Sequence, residues 1–177
     1  MMEKIEVGYM DCLKETFTTM GRSGLLLVSV SQQEKPNVMT IGWGTVGIVW
    51  AKPMFIVLVR PSRFTYGLIE ETGDFTVNVP PVKISEKVSF CGTVSGREHD
   101  KFVEQKLTTI PAKKVKSPLI EECLIHYECE VVHKNDVLPP ELASDIPPAF
   151  YPQGDYHRVF YGEIMRVCAA RDLKKHA

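Results

Sequence analysis

Asn37-Val38-Met39-Thr40-Ile41-Gly42-Trp43-Gly44-Thr45-Val46-Gly47-Ile48-Val49-Trp50-Ala51-Lys52-Pro53-Met54-Phe55-Ile56-Val57-Leu58-Val59-Arg60-Pro61-Ser62-Arg63-Phe64-Thr65 is the stretch that decides the fold. Two runs rich in Val, Ile, Phe and Trp, joined at Lys52-Pro53 and closed by Pro61 to Thr65, suit the pleated, half-buried surface of a sheet. Small hydroxyl and amide residues and Arg63 gather at its ends, and these types bind anions and polar ligands. Inside it, Gly42-Trp43-Gly44-Thr45-Val46-Gly47 has the letters of G-x-G-x-x-G. That dinucleotide fingerprint needs a helix opening at the glycines to receive the pyrophosphate. Here Ile48-Val49-Trp50 and Lys52-Pro53 follow with no helical period, so the glycines relieve crowding in a bent strand or admit a flat ligand to the backbone.

Working outward, Tyr9 to Met20 carries Met10, Leu13, Phe17 and Met20 at amphipathic-helix spacing, with Gly21 as the stop. Gly24 to Val30 reads as a strand, Ser31 to Pro36 as a polar turn, Phe64 to Thr72 as a short helix ended by Gly73, and Phe75 to Val79 as a strand stopped by Pro80-Pro81. Lys83 to Phe90 predicts a helix that exits at Cys91-Gly92. Ser95-Gly96 forms a turn before another helix that runs to about Lys106. Leu119 to His133 and Arg158 to Ala169 are long strands, and a polar tail follows from Arg171 to Ala177. Short strands separated by turns, with helices as decoration, argue for an antiparallel barrel over alternating βαβ units. Asn135 to Tyr156 departs from this economy, holding five of the twelve prolines without a clear period. A loop so much longer than the usual roughly 4–6 residues is either a passive surface excursion or a lid or dimer-clasping arm.

A chain of 177 residues, 44% hydrophobic, suffices for one sizeable core, so one domain spanning 1–177 with a Pro-rich insertion at about 135–156 is expected. A net charge near −1 with 24% charged residues gives no general attraction to nucleic acid or anionic membrane. The longest apolar runs, Leu25 to Val28 and Phe55 to Val59, fall far short of the roughly 20 residues that span a bilayer. The start lacks a signal-peptide pattern, which points to the cytosol. Five cysteines (Cys12, Cys91, Cys123, Cys129, Cys168), with no C-x-x-C pair, point to reduced thiols.

Cys123, His126, Cys129 and His133 have the residue types of a zinc site, which needs four ligands converging tetrahedrally. On one continuous strand Cys123, Cys129 and His133 share a face and His126 points to the other, so the set cannot converge and no metal is expected. No G-x-S-x-G, H-E-x-x-H or Walker loop occurs. Arg63 and Thr65 instead lie at the start of a predicted helix, where free backbone N–H groups and the dipole favour a phosphate. Ser95-Gly96-Arg97 precedes a second helix start, with Lys101 about one turn in. With Asn37 and Thr40 these suit one phosphorylated, hydrogen-bonding aromatic ligand. Singly, each also reads as a turn former or a solvated surface charge.

Asn37-x-Met39-Thr40-x-x-Trp43, Pro53, Arg63-x-Thr65, Gly73-Asp74-Phe75-x-Val77-Asn78, Cys91-Gly92-x-x-Ser95-Gly96-Arg97-x-x-Asp100-Lys101-Phe102 and His157-x-x-Phe160-x-Gly162-Glu163-Ile164 occur in that order. Together, over roughly residues 20 to 170, they resemble the flavin reductase-like proteins, especially the flavoredoxin branch. The resemblance implies a mainly β FMN-binding split barrel, an antiparallel Greek-key barrel with flanking helices, assembled as a homodimer with flavin near the subunit interface. By that likeness Asn37, Met39, Thr40 and Trp43 line the ring and ribityl chain. Arg63 and Thr65 hold the phosphate with Lys101 and Ser95 nearby, Asn78, Cys91 and Arg97 complete the pocket, and His157 stands on the substrate side. It implies an NAD(P)H-dependent oxidoreductase passing electrons to free flavin, ferric iron or a redox partner protein. A non-enzymatic FMN electron carrier and a flavin-free ligand-binding module on the same barrel stay open as alternatives.

Overall fold

The computed structural model describes residues 3–173. In chain order it contains β1 (Lys4–Glu6), a 3-10 turn (Tyr9–Cys12), α1 (Leu13–Arg22), β2 (Leu25–Val30), β3 (Pro36–Ile41), β4 (Gly44–Val49), β5 (Lys52–Val59), α2 (Phe64–Thr72) and β6 (Asp74–Val79). After a second 3-10 turn (Val82–Ile84) come α3 (Ser85–Thr93), α4 (Lys101–Glu104), the short pair β7 (Thr109–Ile110) and β8 (Leu119–Ile120), and β9 (Ile125–Asp136). A third 3-10 turn (Pro139–Glu141), α5 (Ile146–Phe150) and β10 (Arg158–Ala170) complete the order.

The main sheet runs β3-β2-β6-β9-β10-β5-β4, every pair antiparallel, with β1 added to β10. Its two end strands, β3 and β4, are consecutive in sequence and joined by Gly42 and Trp43 alone. Two residues cannot span an open sheet, so the ends must curl toward each other, and a split barrel results. Alternate residues fill the interior: Leu25 and Leu27, Phe55, Val57 and Val59, Phe75, Val77 and Val79, Ile125 and Tyr127, Phe160 and Ile164. A second cluster lies outside the barrel wall, where Leu26, Val28 and Val38 meet Val88 and Cys91 of α3. All six residues of β2 are therefore buried, which explains its unbroken apolar run.

Several expected boundaries shift. The stretch from 37 to 59 is three strands, not two, and its tight turn falls at Trp50-Ala51 (φ 53° and 58°), not at Lys52-Pro53. A two-residue hairpin with both central residues left-handed matches the right-handed twist of the flanking strands. Pro53 then sits within β5, opposite Ile48 and beyond the last residue paired with β10, where no ladder bond requires its missing N–H. Helix α1 continues through Gly21 and stops at Gly24, whose φ of 86° lets its N–H reach the Thr19 carbonyl. Its buried face is Cys12, Thr16 and Met20, with Met10 and Phe17 exposed, because the Thr16 hydroxyl meets the Tyr127 hydroxyl at 2.8 Å at the barrel end.

The long strand expected from Leu119 is broken at 121–124, and β9 runs on to Asp136. Cys123 accordingly lies in a turn, Cys129 points into the barrel, His126 faces outward to Asn78, and His133 stands on the surface beside Trp50 and Tyr161. The helix expected after Ser95-Gly96 begins only at Lys101, where Asp100 caps it by accepting from the Val103 N–H. The Pro-rich segment carries α5 and is tied back to Arg60 and Ser62 by hydrogen bonds. Among the described residues no helix is long and apolar enough to cross a membrane. Residues 174–177 of the expected polar tail lie outside the described residues.

Candidate functional site

Two adjoining clefts, with cavity volumes of about 170 and 160 Å³, share Met39, Thr40 and Arg63. The first lies between β3, the start of α2, the end of α3 and the turn before α4, and is lined by Asn37, Met39, Thr40, Arg63, Thr65, Cys91, Ser95, Arg97 and Lys101 among others. The second lies at the split of the barrel, where Met39 to Trp43 face Leu58, Arg60 and His157. Eleven of the twelve expected site residues thus border one of the two clefts.

The first cleft gathers positive charge. Lys101 is 4% exposed, and its Nζ donates to the carbonyls of Val38 (2.9 Å) and Cys91 (2.8 Å), with no carboxylate as partner. An ammonium has three donors, so one is left over. Burial lowers the Lys101 pKa, and Arg63 lowers it further. The Arg63 guanidinium makes no hydrogen bond or ion pair with another described residue. Arg97 donates to the Ser62 carbonyl (3.0 Å) and lies over the Phe64 ring. No Asp or Glu lines the cleft. Three cations held together without a counter-charge cost free energy unless an anion joins them. The α2 N-terminus, with Arg63 at the N-cap position and no side-chain cap, borders the same space through Phe64 and Thr65.

Polar and small residues shape the rest. Asn37 Nδ2 donates to Thr65 Oγ1 (2.7 Å), Thr40 Oγ1 donates to the Val88 carbonyl, and Ser95 Oγ accepts from the Arg97 N–H (3.2 Å). A Cβ on Gly96 would lie 2.0 Å from Asn37 Oδ1 and 2.8 Å from the Phe64 ring, so the turn can close on the cleft only as glycine. Cys91 is buried, which pushes its thiol up to about 11 and keeps it protonated at neutral pH.

In the second cleft, Trp43 packs edge-on to Phe150 at 5.3 Å and lies 4.9 Å from His157. Phe150 and Tyr151 come from the Pro-rich segment, which Arg60 holds by donating to the carbonyls of Phe150 (2.8 Å) and Asp155 (3.2 Å). Ser62 adds a hydrogen bond to the Asp155 carboxylate at 2.6 Å. One turn, Arg60 to Arg63, therefore anchors the segment and places a cation in the first cleft.

Asn78 is the expected site residue that the structure does not bring here. Inward positions of β6 belong to Phe75, Val77 and Val79, so Asn78 points out through the wall. It is fully buried, donating to the Leu26 carbonyl (3.3 Å) and Thr76 Oγ1 (3.0 Å) and accepting from the Ile120 N–H (3.1 Å) and His126 Nδ1 (2.8 Å). Since His126 Nδ1 carries the proton, Nε2 accepts from the Lys4 ammonium at 2.9 Å. Arg60, Ser62, Gly96, Phe150 and Tyr151 are the site residues missed from sequence. The Arg60-Pro61-Ser62-Arg63 turn and the Ser95-Gly96 turn carried local signals for three of them; Phe150 and Tyr151 had none.

Both buried histidines are neutral at pH 7: burial and Arg60 bring His157 down to about 4, and burial and Lys4 hold His126 well below its ordinary 6.5. The unfolded chain therefore binds more protons below about pH 6.5. The stability from keeping these rings uncharged is full above that pH and is lost as pH falls toward about 4. Thermal melts should fall progressively across this window, before the protonation of Glu70, whose ordinary value is 4.5, contributes. A melting temperature flat from pH 7 to 4.5 would contradict the assignment.

Comparison with known proteins places this geometry. A protein of Archaeoglobus fulgidus without assigned function is 37% identical over 138 residues, covering 78% of this chain and 68% of that one. A flavoredoxin from Methanosarcina acetivorans superposes with a TM-score of 0.64 at 28% identity, covering 81% of this chain and 67% of that one. An FMN-binding protein from Thermus thermophilus, solved with bound p-hydroxybenzaldehyde, gives a TM-score of 0.67 at 25% identity, with 85% and 74% covered. The family model for the flavin reductase like domain matches residues 20–176, and the chain belongs to that family.

Proposed function

We propose that this protein binds FMN across the two clefts and works as an NAD(P)H-dependent oxidoreductase that passes electrons to free flavin, ferric iron or a protein acceptor. The observation that carries this is the buried Lys101, beside Arg63 and Arg97, with no acidic partner in the cleft. FMN, when bound, supplies the hydride and electron transfer. The chain's own residues bind and orient it. Arg63, Lys101 and the first N–H groups of α2 take the phosphate, while Asn37, Thr40, Met39 and Trp43 offer polar and apolar contacts along the path to the second cleft. Phe150 and Tyr151 limit the water that reaches the second cleft, and His157 supplies a hydrogen bond there. Flavin near the shared surface of a homodimer belongs to the same proposal, and sedimentation with and without FMN tests it.

Protein incubated with FMN and desalted should be yellow, and anaerobic NADH or NADPH should bleach it. A yellow protein that dithionite bleaches and neither nicotinamide does would be an FMN electron carrier without a nicotinamide reaction. A protein that takes up no FMN would make the barrel a flavin-free ligand-binding module. His157→Ala should retain FMN while slowing bleaching by roughly 10- to 100-fold, the effect of removing one aligned donor. An unaltered rate would return His157 to a strand-end structural residue.

A further inference from the structure

The Tyr151 hydroxyl lies 2.8 Å from His157 Nδ1, six residues along the chain. The chain turns back between them through Gly154 and Asp155, with φ of 76° and 57°. Tyr151 is fixed on several sides: its ring stacks on Tyr156 at 4.6 Å and lies under the Arg60 guanidinium at 5.1 Å. Tyr151 and His157 are 6% and 8% exposed, so neither is free to choose other partners.

Hydrogen-bond satisfaction then directs the protons. The backbone N–H of His157 also faces the Tyr151 oxygen, and the Tyr151 O–H has no acceptor among the described residues other than Nδ1. A buried hydroxyl donates where it can, so Nδ1 accepts. A neutral imidazole that accepts at Nδ1 carries its proton on Nε2. No described residue bonds to Nε2. Among the described residues no buried side-chain nitrogen or oxygen lacks a partner, so Nε2 is open to the cleft that His157 lines.

We propose that Tyr151 is a positioning residue: it donates its hydroxyl proton to His157 Nδ1, fixes the Nε2–H tautomer, and makes His157 a neutral N–H donor for a carbonyl or carboxamide oxygen in the second cleft. The charged groups around the ring are Arg60, Arg63 and Asp155, and the two cations with burial keep it uncharged at neutral pH. A neutral N–H donor carries no charge that calls for a counter-ion, so it can meet a neutral carbonyl or carboxamide oxygen. Trp43, which lines the cleft beside His157, gives that acceptor an aromatic neighbour. The kind of ligand met by Nε2–H rests on the flavin function proposed above; the tautomer does not.

The full chain labelled with ¹⁵N-histidine tests the two parts separately. At pH 7 the His157 ring, assigned by its loss in His157→Gln, should show an unprotonated Nδ1 and a protonated Nε2. Tyr151→Phe, which keeps the stacked ring and removes the hydroxyl, should convert that pattern to a mixture of tautomers. A wild-type Nδ1–H tautomer, or a ring spectrum identical in Tyr151→Phe, would overturn the proposal whether or not FMN binds. In the FMN-loaded protein, Tyr151→Phe should slow reduction by NADH or NADPH about tenfold and add nothing in the His157→Gln background. Additive losses would overturn action through His157. Unchanged reduction in both single variants, beside the expected ring spectrum, would overturn the donor role, leaving FMN binding itself to the Arg63 variants.

Discussion

Replacing Arg63 and Lys101 together by alanine should weaken FMN binding by roughly a hundred- to ten-thousand-fold, since each charge-assisted hydrogen bond to a phosphate is worth about 1.5–3 kcal/mol. The two residues do not contribute alike. Arg63 makes no hydrogen bond or ion pair with another described residue, so Arg63→Ala alone should lower affinity with little change in the melting temperature of the FMN-free protein. Lys101 also caps the Val38 and Cys91 carbonyls, and its removal leaves both facing the cleft. Lys101→Ala should therefore cost stability as well as affinity. The two cations repel each other in the FMN-free protein, so the losses should not simply add. Titration of FMN by fluorescence quenching, paired with thermal melts, separates the effects. Affinity unchanged in the double variant would remove the phosphate site and the proposed function with it.

Asn78→Ala should do the opposite: destabilise strongly and leave FMN affinity within about twofold. The side chain satisfies four polar groups through the barrel wall, including the His126 Nδ1–H and the Ile120 N–H. Truncation leaves these buried donors unpaired, at about 1–3 kcal/mol each before relaxation. A net loss near 3 kcal/mol corresponds to a fall of roughly 6–12 °C in melting temperature for a chain of this size. FMN affinity in the folded variant is the deciding measurement, because Asn78 borders neither cleft. A tenfold loss of affinity at a temperature where the variant is fully folded would place Asn78 back in the ligand site.

The case of Asn78 shows why part of the site was legible and part was not. Arg63 and Thr65 could be placed at the cleft's edge because a helix start follows directly from Ser62-Arg63-Phe64-Thr65, and helix starts have a local chemistry. Asn78 follows the same family pattern, but which way a strand residue points depends on which face of the strand the barrel buries. Tyr151 lay in a stretch without period, and its meeting with His157 depends on Arg60 and Ser62, some ninety positions earlier in the chain, holding the turn. The helix expected after Ser95 failed for a related reason. Asp100 is the better cap, and Gly96 is needed for close approach to Asn37, not for a helix start.

What the chain determined by itself was local and periodic: the antiparallel β character, the helix starting at Phe64, the stop at Gly73, and a set of cations and amides too scattered to be a motif alone. Tertiary structure decided which of these meet. Because only Gly42 and Trp43 join the two end strands, the sheet must curl until β3 approaches β5 and leaves the split that holds the second cleft. Burial then did what spacing cannot, withdrawing Asn78 into the wall and setting Lys101 among carbonyls without a counter-ion. Desolvation acts on distances through space, and those exist only once the barrel has closed.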